Sequence, residues 1–252
     1  RPYALRADLD KRMVAKRSRA PPLLSFINLP SGPTLCPIPR SRSGRIMTLL
    51  HTIWLIAITA EAMTGAIMGM RRGMDLFGIC LVGTVTALGG GSVRDVLLGH
   101  YPLVWIEHPE YLTFTIGAAI VTAYAAKLVQ RLRQAFLLVD ALGLVAFTVI
   151  GCNIGLEMGT HPSIAVLAGV ITGVFGGLLR DVLCNEVPLV ITSELYATVA
   201  LITGALYVGL ISLGVSIQPA SLIALSSGFL LRVLALKYKW HLPRFIDANP
   251  SE

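Results

Sequence analysis

One segment of this chain occurs twice, and the distance between its copies limits the folds open to it more than any other feature. Gly83-Thr84-Val85-Thr86-Ala87-Leu88-Gly89-Gly90-Gly91-Ser92-Val93-Arg94-Asp95 is matched by Gly169-Val170-Ile171-Thr172-Gly173-Val174-Phe175-Gly176-Gly177-Leu178-Leu179-Arg180-Asp181, at an offset of 86 that carries Arg94 to Arg180. The same offset relates Gly65 to Gly151 and Pro102 to Pro188, so two copies of one unit fill most of the 252 residues.

Each copy is too apolar for a water-soluble domain. Hydrophobic residues make up 54% of the chain and charged residues 14%, with a mean hydropathy of +0.71, which marks a protein whose solvent is lipid. From Met47 onward, stretches long enough to cross a hydrocarbon core of about 30 Å fall near residues 49–69, 76–98, 111–129, 136–156, 162–184, 195–213 and 219–236. Each copy holds three of them. Three is odd, so the second copy enters the membrane from the face opposite the first. The expected fold is therefore all-α and integral to the membrane, with seven transmembrane helices. Two inverted three-helix repeats, 47–134 and 135–216, precede a seventh helix and tail at 217–252.

Charge sets the orientation. Ten Lys/Arg and two Asp lie in residues 1–46, against eleven basic and twelve acidic residues in the remainder. The basicity thus belongs to a Pro- and Arg-rich arm, read as a disordered extension upstream of a working protein that starts at Met47, and no nucleic-acid partner is expected. Elsewhere, Lys/Arg gather after the first span (Arg71, Arg72), after the third (Lys127, Arg131, Arg133) and in the C-terminal tail (Lys237, Lys239, Arg244). All three places share one face of a seven-span chain. The positive-inside rule makes that face, and the C-terminus, cytoplasmic in a plasma (bacterial inner) membrane. The arm at 1–46 would then lie on the wrong side, a second reason to read it as an extension.

Inverted repeats of this kind build channels and secondary transporters, in which a broken helix from each half meets its counterpart near mid-depth. Gly89, Gly90, Gly91, Gly176 and Gly177 are the candidate breaks, because each glycine costs a helix about 1 kcal/mol and an interrupted helix is tolerated in lipid only beside water or an ion. Close helix packing by small residues is the alternative, through Gly83, Ala87 and Gly91 or Gly169, Gly173 and Gly177. The charges that follow argue for function, since an ionised side chain at membrane depth costs at least about 2.5 kcal/mol. Arg94 and Asp95, like Arg180 and Asp181, point about 100° apart on a helix, so each is expected to find partners on other helices or in water.

The offset indicates where to look. It aligns Asp140 with Trp54 and Phe147 with Glu61, so the halves have exchanged an acid and an aromatic. Asp140 and Arg180 both lie near cytoplasmic span ends, which makes them the expected ion pair. Glu61 with Arg94 is the pseudo-symmetric pair, with a depth mismatch of about 11 Å. Arg94 is therefore expected to face a water-filled vestibule. Cys36, Cys80, Cys152 and Cys184 have no disulfide or metal spacing, the histidines are dispersed, and no catalytic constellation is present. Neither an enzyme, a metal site nor a cofactor is expected.

Taken together, Met74-Asp75-Leu76-Phe77-Gly78, Gly89-Gly90-Gly91 with Arg94-Asp95, Tyr101-Pro102-Leu103, Asp140-Ala141-Leu142-Gly143, Gly176-Gly177 with Arg180-Asp181, Val187-Pro188, and Glu194 with Tyr196 resemble one family over residues 50 to about 245. It is that of the prokaryotic relatives of trimeric intracellular cation (TRIC) channels, whose duplicated domain is also catalogued as a glycine transporter. The resemblance implies seven helices, a homotrimer, and a pore in each protomer lined by kinked second and fifth helices that passes monovalent cations, chiefly potassium. Phe175 departs from the family pattern by breaking the second glycine triplet, and Trp54 stands where the family often has an acid.

Two functions follow from these residues. In a cation channel, the glycine runs expose carbonyls to water, Thr86 and Thr172 add hydroxyls, and Glu61 adds negative charge. In a carrier, the same features hold a small zwitterion such as glycine, with an Arg on its carboxylate.

Overall fold

The structure, a computed structural model, describes residues 43–125, 132–192 and 195–240, and these form helices and connecting turns with no strand among them. In chain order the helices are α1 (Ser43–Arg71), α2 (Leu76–Leu98), α3 (Val104–Glu107), α4 (Glu110–Ala125), α5 (Leu132–Glu157), α6 (Pro162–Leu183), α7 (Leu189–Thr192), α8 (Tyr196–Ser212) and α9 (Ile217–Tyr238). Among the described residues, five segments are long and apolar enough to cross a membrane: His51–Arg71, Leu76–Leu98, Arg133–Glu157, Pro162–Leu183 and Ile217–Tyr238. The apolar α4 and α8 are shorter, at 16 and 17 residues. Nearly all of the arm expected at 1–46, the tail beyond 240, and Lys127, Arg131, Glu194 and Arg244 lie outside the described residues.

The duplication persists in the smallest details. Asp75 caps α2 by accepting the Gly78 N–H at 2.8 Å, and one offset later the His161 ring accepts the Ser163 N–H at 3.3 Å at the head of α6. Past the other end of α2, Gly99 turns the chain at φ 68°, and its counterpart Asn185 follows α6 at φ 49°. That left-handed conformation suits glycine and is tolerated by asparagine. The next amides, of His100 and Glu186, close on the Asp95 and Asp181 carbonyls, each at 2.8 Å. The one-turn helices α3 and α7 also correspond. Neither was legible as an apolar stretch, being only four residues long.

Helices α1, α2, α5 and α6 form the centre; α4 packs on α1 and α2, α8 on α5 and α6, and α9 on α5 and α8. Backbone contacts fix the central crossing. A Cβ placed on Gly90 would collide with the Thr172 carbonyl, and one on Gly176 with the Thr86 carbonyl. Residue 90 faces 172 while 86 faces 176, so α2 and α6 cross antiparallel, and the offset maps each contact onto the other. The outer seams behave alike: Gly65 lies on the Val82 carbonyl as Gly151 lies on that of Ala168, and Gly83 on the Ala62 carbonyl as Gly169 on that of Thr148. These reciprocal pairs are what a pseudo-twofold axis between the halves produces.

The glycine runs do not break their helices. Both α2 and α6 remain helical from end to end; opposing backbone fills the space at Gly90 and Gly176, and side chains fill it at Gly89, Gly91 and Gly177. The expected breaks are thus replaced by close approach, as in small-residue packing. Gly90 and Gly176 make the α2–α6 crossing, whereas Gly83, Gly169 and Gly173 lie against α1 and α5.

Candidate functional site

Because α2 and α6 are antiparallel, their terminal Arg-Asp pairs lie at opposite ends of the bundle. One end is marked by Arg72, which donates to the Asn185 carbonyl at 2.9 Å and pairs with Glu186. The other carries His51 beside Tyr111 and His108 beside Glu110.

At the Arg72 end, the fully buried Arg180 organises four elements. Its Nε donates to Asp181 Oδ1 at 2.8 Å; its Nη1 donates to Asp140 Oδ1 at 2.7 Å and to Thr64 Oγ1 at 3.2 Å. The guanidinium lies 4.7 Å above the Phe136 ring, a cation–π contact that offsets part of its desolvation. Asp181 Oδ2 accepts the Leu189 N–H at 2.8 Å and thereby anchors α7. Tyr196, from the start of α8, donates to Asp140 Oδ1 at 3.4 Å.

Glu61 joins this centre and not Arg94. Thr64 Oγ1 lies 3.0 Å from Glu61 Oε2 and bonds Arg180 on its other side, while Glu61 Oε1 lies against Gly143, where a Cβ would overlap it. The mismatch anticipated for a Glu61–Arg94 pair is therefore resolved by a different partner. Helices α1 and α5 are neighbours, so a residue deep in α1 meets the early part of α5.

At the opposite end, Arg94 is also fully buried, which corrects its expected exposure to a vestibule. Its Nε and Nη2 both donate to Asp95 Oδ1, at 2.9 and 2.6 Å, and His100 Nδ1 approaches the same oxygen at 3.2 Å. Adjacent Arg and Asp thus do pair, in both copies. The 100° between their Cα–Cβ vectors is bridged because the long guanidinium arm folds sideways along the helix. Asp140 has no equivalent here. Trp54 occupies that place, with its ring tip beside Gly91, and its indole packs on Phe147 and Tyr111, each at 5.8 Å between centroids. The exchanged acid and aromatic therefore separate the ends: acids and Arg180 at one, an aromatic cluster with a lone Arg–Asp pair at the other.

Thr86 and Thr172 are buried, and their hydroxyls return to the Val82 and Ala168 carbonyls of their own helices, both at 2.6 Å. They face the seams at Gly65 and Gly151, so neither adds a free hydroxyl to a water column. Gly89 packs on Leu179, and Gly177 on the Tyr196 hydroxyl. Sequence reasoning had Gly143 only as part of a motif, and it missed Thr64 and, above all, Arg232. This arginine of α9 is fully buried, with its guanidinium 4.7 Å above the Tyr196 ring. A single charge within an apolar stretch was the signal that could have found it.

Comparison with known proteins gives two matches to the family model described as Glycine transporter, at residues 51–127 and 137–212. The UPF0126 inner membrane protein YadS of Escherichia coli strain K12 is 34% identical over 204 residues, covering 80% of this chain and 99% of that protein. A crystal structure of the TRIC trimeric intracellular cation channel orthologue from Rhodobacter sphaeroides is 35% identical and superposes with a TM-score of 0.74, covering 76% of this chain and 99% of that one. A structure described in terms of conductance through TRIC cation channels is 36% identical, with a TM-score of 0.72 over 79% of this chain and 98% of that one.

Proposed function

Since the chain belongs to the family that carries the duplicated Glycine transporter domain and includes the prokaryotic TRIC channels, we propose that it is a monovalent cation channel, permeable to potassium, with a pore in each protomer of a homotrimer. The observation that carries this reading is the likeness to cation-channel structures along almost their whole length, at identities of 33 to 36%. In this proposal α1, α2, α4, α5, α6, α8 and α9 are the seven spans of a bacterial inner-membrane protein, and the C-terminus is cytoplasmic. The repeats 47–134 and 135–216 are the two inverted halves.

The contacts described above support a specific pore geometry. At the Gly90–Gly176 crossing the backbones leave no room for even a methyl group, so an ion of water size passes only when α2 and α6 separate there. The crossing is the gate. Gly89, Gly91 and Gly177 flank it and allow the helices to bend as they part. Glu61, Asp140 and Asp181 gather around the buried Arg180 at the Arg72 end. The carrier reading draws on the description of the family model, whereas the solved structures named above are those of cation channels.

Single-channel recording of the purified chain in planar bilayers tests the proposal. Unitary currents that reverse near the potassium equilibrium potential are expected. Saturable glycine uptake in liposomes without unitary currents would overturn it.

A further inference from the structure

We propose that Glu61 is a proton-binding site, and that its occupancy by a proton controls the ion path through Thr64 and Arg180. The control of ion flux rests on the channel reading above; the proton site itself does not.

Glu61 is the carboxyl that the cations of the Arg180 centre do not reach. Asp181 takes Arg180 Nε and a backbone N–H, and Asp140 takes Arg180 Nη1 and the Tyr196 hydroxyl. Glu61 is 1% exposed, and no ion pair reaches it among the described residues. Its Oε1 has no hydrogen-bond partner among the described residues. The charged and titratable groups that act on it include Asp140 from α5, Arg180 and Asp181 from α6, and Tyr196 from α8. Arg232 of α9 stands one layer further out, over the Tyr196 ring. A buried carboxylate in this setting requires a compensating positive charge.

Two observations identify that charge as a proton. The first is space. Glu61 Oε1 is closed to any water-sized particle and lies against the α5 backbone at Gly143. A potassium ion does not fit there; a proton needs no room. The second is the hydrogen inventory of Thr64. Its hydroxyl lies within bonding distance of both the Glu61 carbonyl, at 2.9 Å, and Glu61 Oε2, at 3.0 Å, and it also accepts from Arg180 Nη1. A hydroxyl has one hydrogen and two lone pairs. All three contacts are satisfied together when the threonine hydrogen goes to the carbonyl and Glu61 carries a proton on Oε2 that it donates to Oγ1.

The exchange balances without another reactant. Uptake of one proton converts the Glu61 carboxylate to the acid, and its loss returns the carboxylate. On loss, the Thr64 hydrogen swings from the carbonyl to Oε2. The newly charged carboxylate then competes with Asp140 for Arg180, whose bonds tie α1, α5 and α6 together. A proton at Glu61 thus biases the packing of the helices that hold the central crossing.

Infrared difference spectroscopy between acid and alkaline pH, on the full chain in liposomes, tests the site directly. The wild type is expected to lose a carbonyl stretch of a neutral carboxyl as pH rises. Glu61→Gln should lack that band, Thr64→Ser should keep it, and Thr64→Val should shift its frequency by removing the hydrogen-bond acceptor. If Glu61→Gln does not fold, the Thr64 pair decides the question. A titrating band that is unchanged in Glu61→Gln or unshifted in Thr64→Val overturns the proposal, as does a band displaced by potassium and not by pH. Potassium flux gives the second readout: it should vary with pH in the wild type and be flat in Glu61→Gln. The expected bands without potassium flux in any variant would refute the channel reading and leave the proton site standing, whereas equal pH dependence of flux in both would refute the control.

Discussion

At the scale of single residues, glycines decide how closely this bundle packs, and their surroundings rank them. Gly90→Ala places a methyl group onto the Thr172 carbonyl, and Gly176→Ala onto that of Thr86. Backbone oxygens cannot rotate away, so the whole helix must shift, and overpacking of this kind costs about 1–3 kcal/mol or more. A methyl group added to Gly117, in the middle of α4, would meet nothing within 4 Å, so Gly117→Ala should be neutral or stabilise by up to about 1 kcal/mol through helix propensity. Thermal unfolding in detergent should therefore separate Gly90 and Gly176 from Gly117. Equal tolerance at all three would mean that the central crossing is looser than described. The repeat marked these glycines plainly, but their effect was not readable. A triplet in sequence does not say whether opposing backbone or water fills the space it leaves.

At the scale of helices, the Asp140–Arg180 pair joins α5 to α6 with no solvent beside it. Removing one partner orphans a buried charge, at a cost of about 3–5 kcal/mol. Asp140→Ala and Arg180→Ala should each lower the unfolding temperature strongly. The double variant should recover much of the loss, and the coupling from the double-mutant cycle measures the interaction. Strict additivity would mean that Thr64, Asp181 and Phe136 hold Arg180 in place without Asp140. This pair was legible because both residues lie near the same end of antiparallel neighbours, where depth can be counted from the sequence. The Arg94–Asp95 contact was not, since helical angles locate Cβ atoms and say little about where a four-bond side chain ends. Glu61 was misplaced for a related reason. The repeat aligns it with Phe147 in the other half, but alignment between halves identifies counterparts and not neighbours. Only the α1–α5 packing brings it to Asp140 and Arg180.

At the scale of the whole molecule, the same offset becomes a statement about two faces. Tyr101 and Val187 are one offset apart and similarly exposed, at 64% and 65%, yet they follow the opposite ends of the antiparallel helices α2 and α6. If the bundle crosses a membrane, these equivalent residues emerge on opposite sides. Arg72 lies at the Val187 end, where it bonds Asn185 and Glu186, so the positive-inside rule assigns that end to the cytoplasm and the Tyr101 end to the outside. Single cysteines introduced at Tyr101 and Val187, with the four native cysteines replaced, can be probed in intact bacterial cells with a membrane-impermeant thiol reagent. Tyr101→Cys should react in intact cells, whereas Val187→Cys should react only after the membrane is opened. Reaction of both from one side would show that the halves are parallel and would remove the basis for the pseudo-twofold. Exchange of the two accessibilities would keep the inverted repeat but reverse the orientation, and would place Glu61 and its proton exchange nearer the outer face.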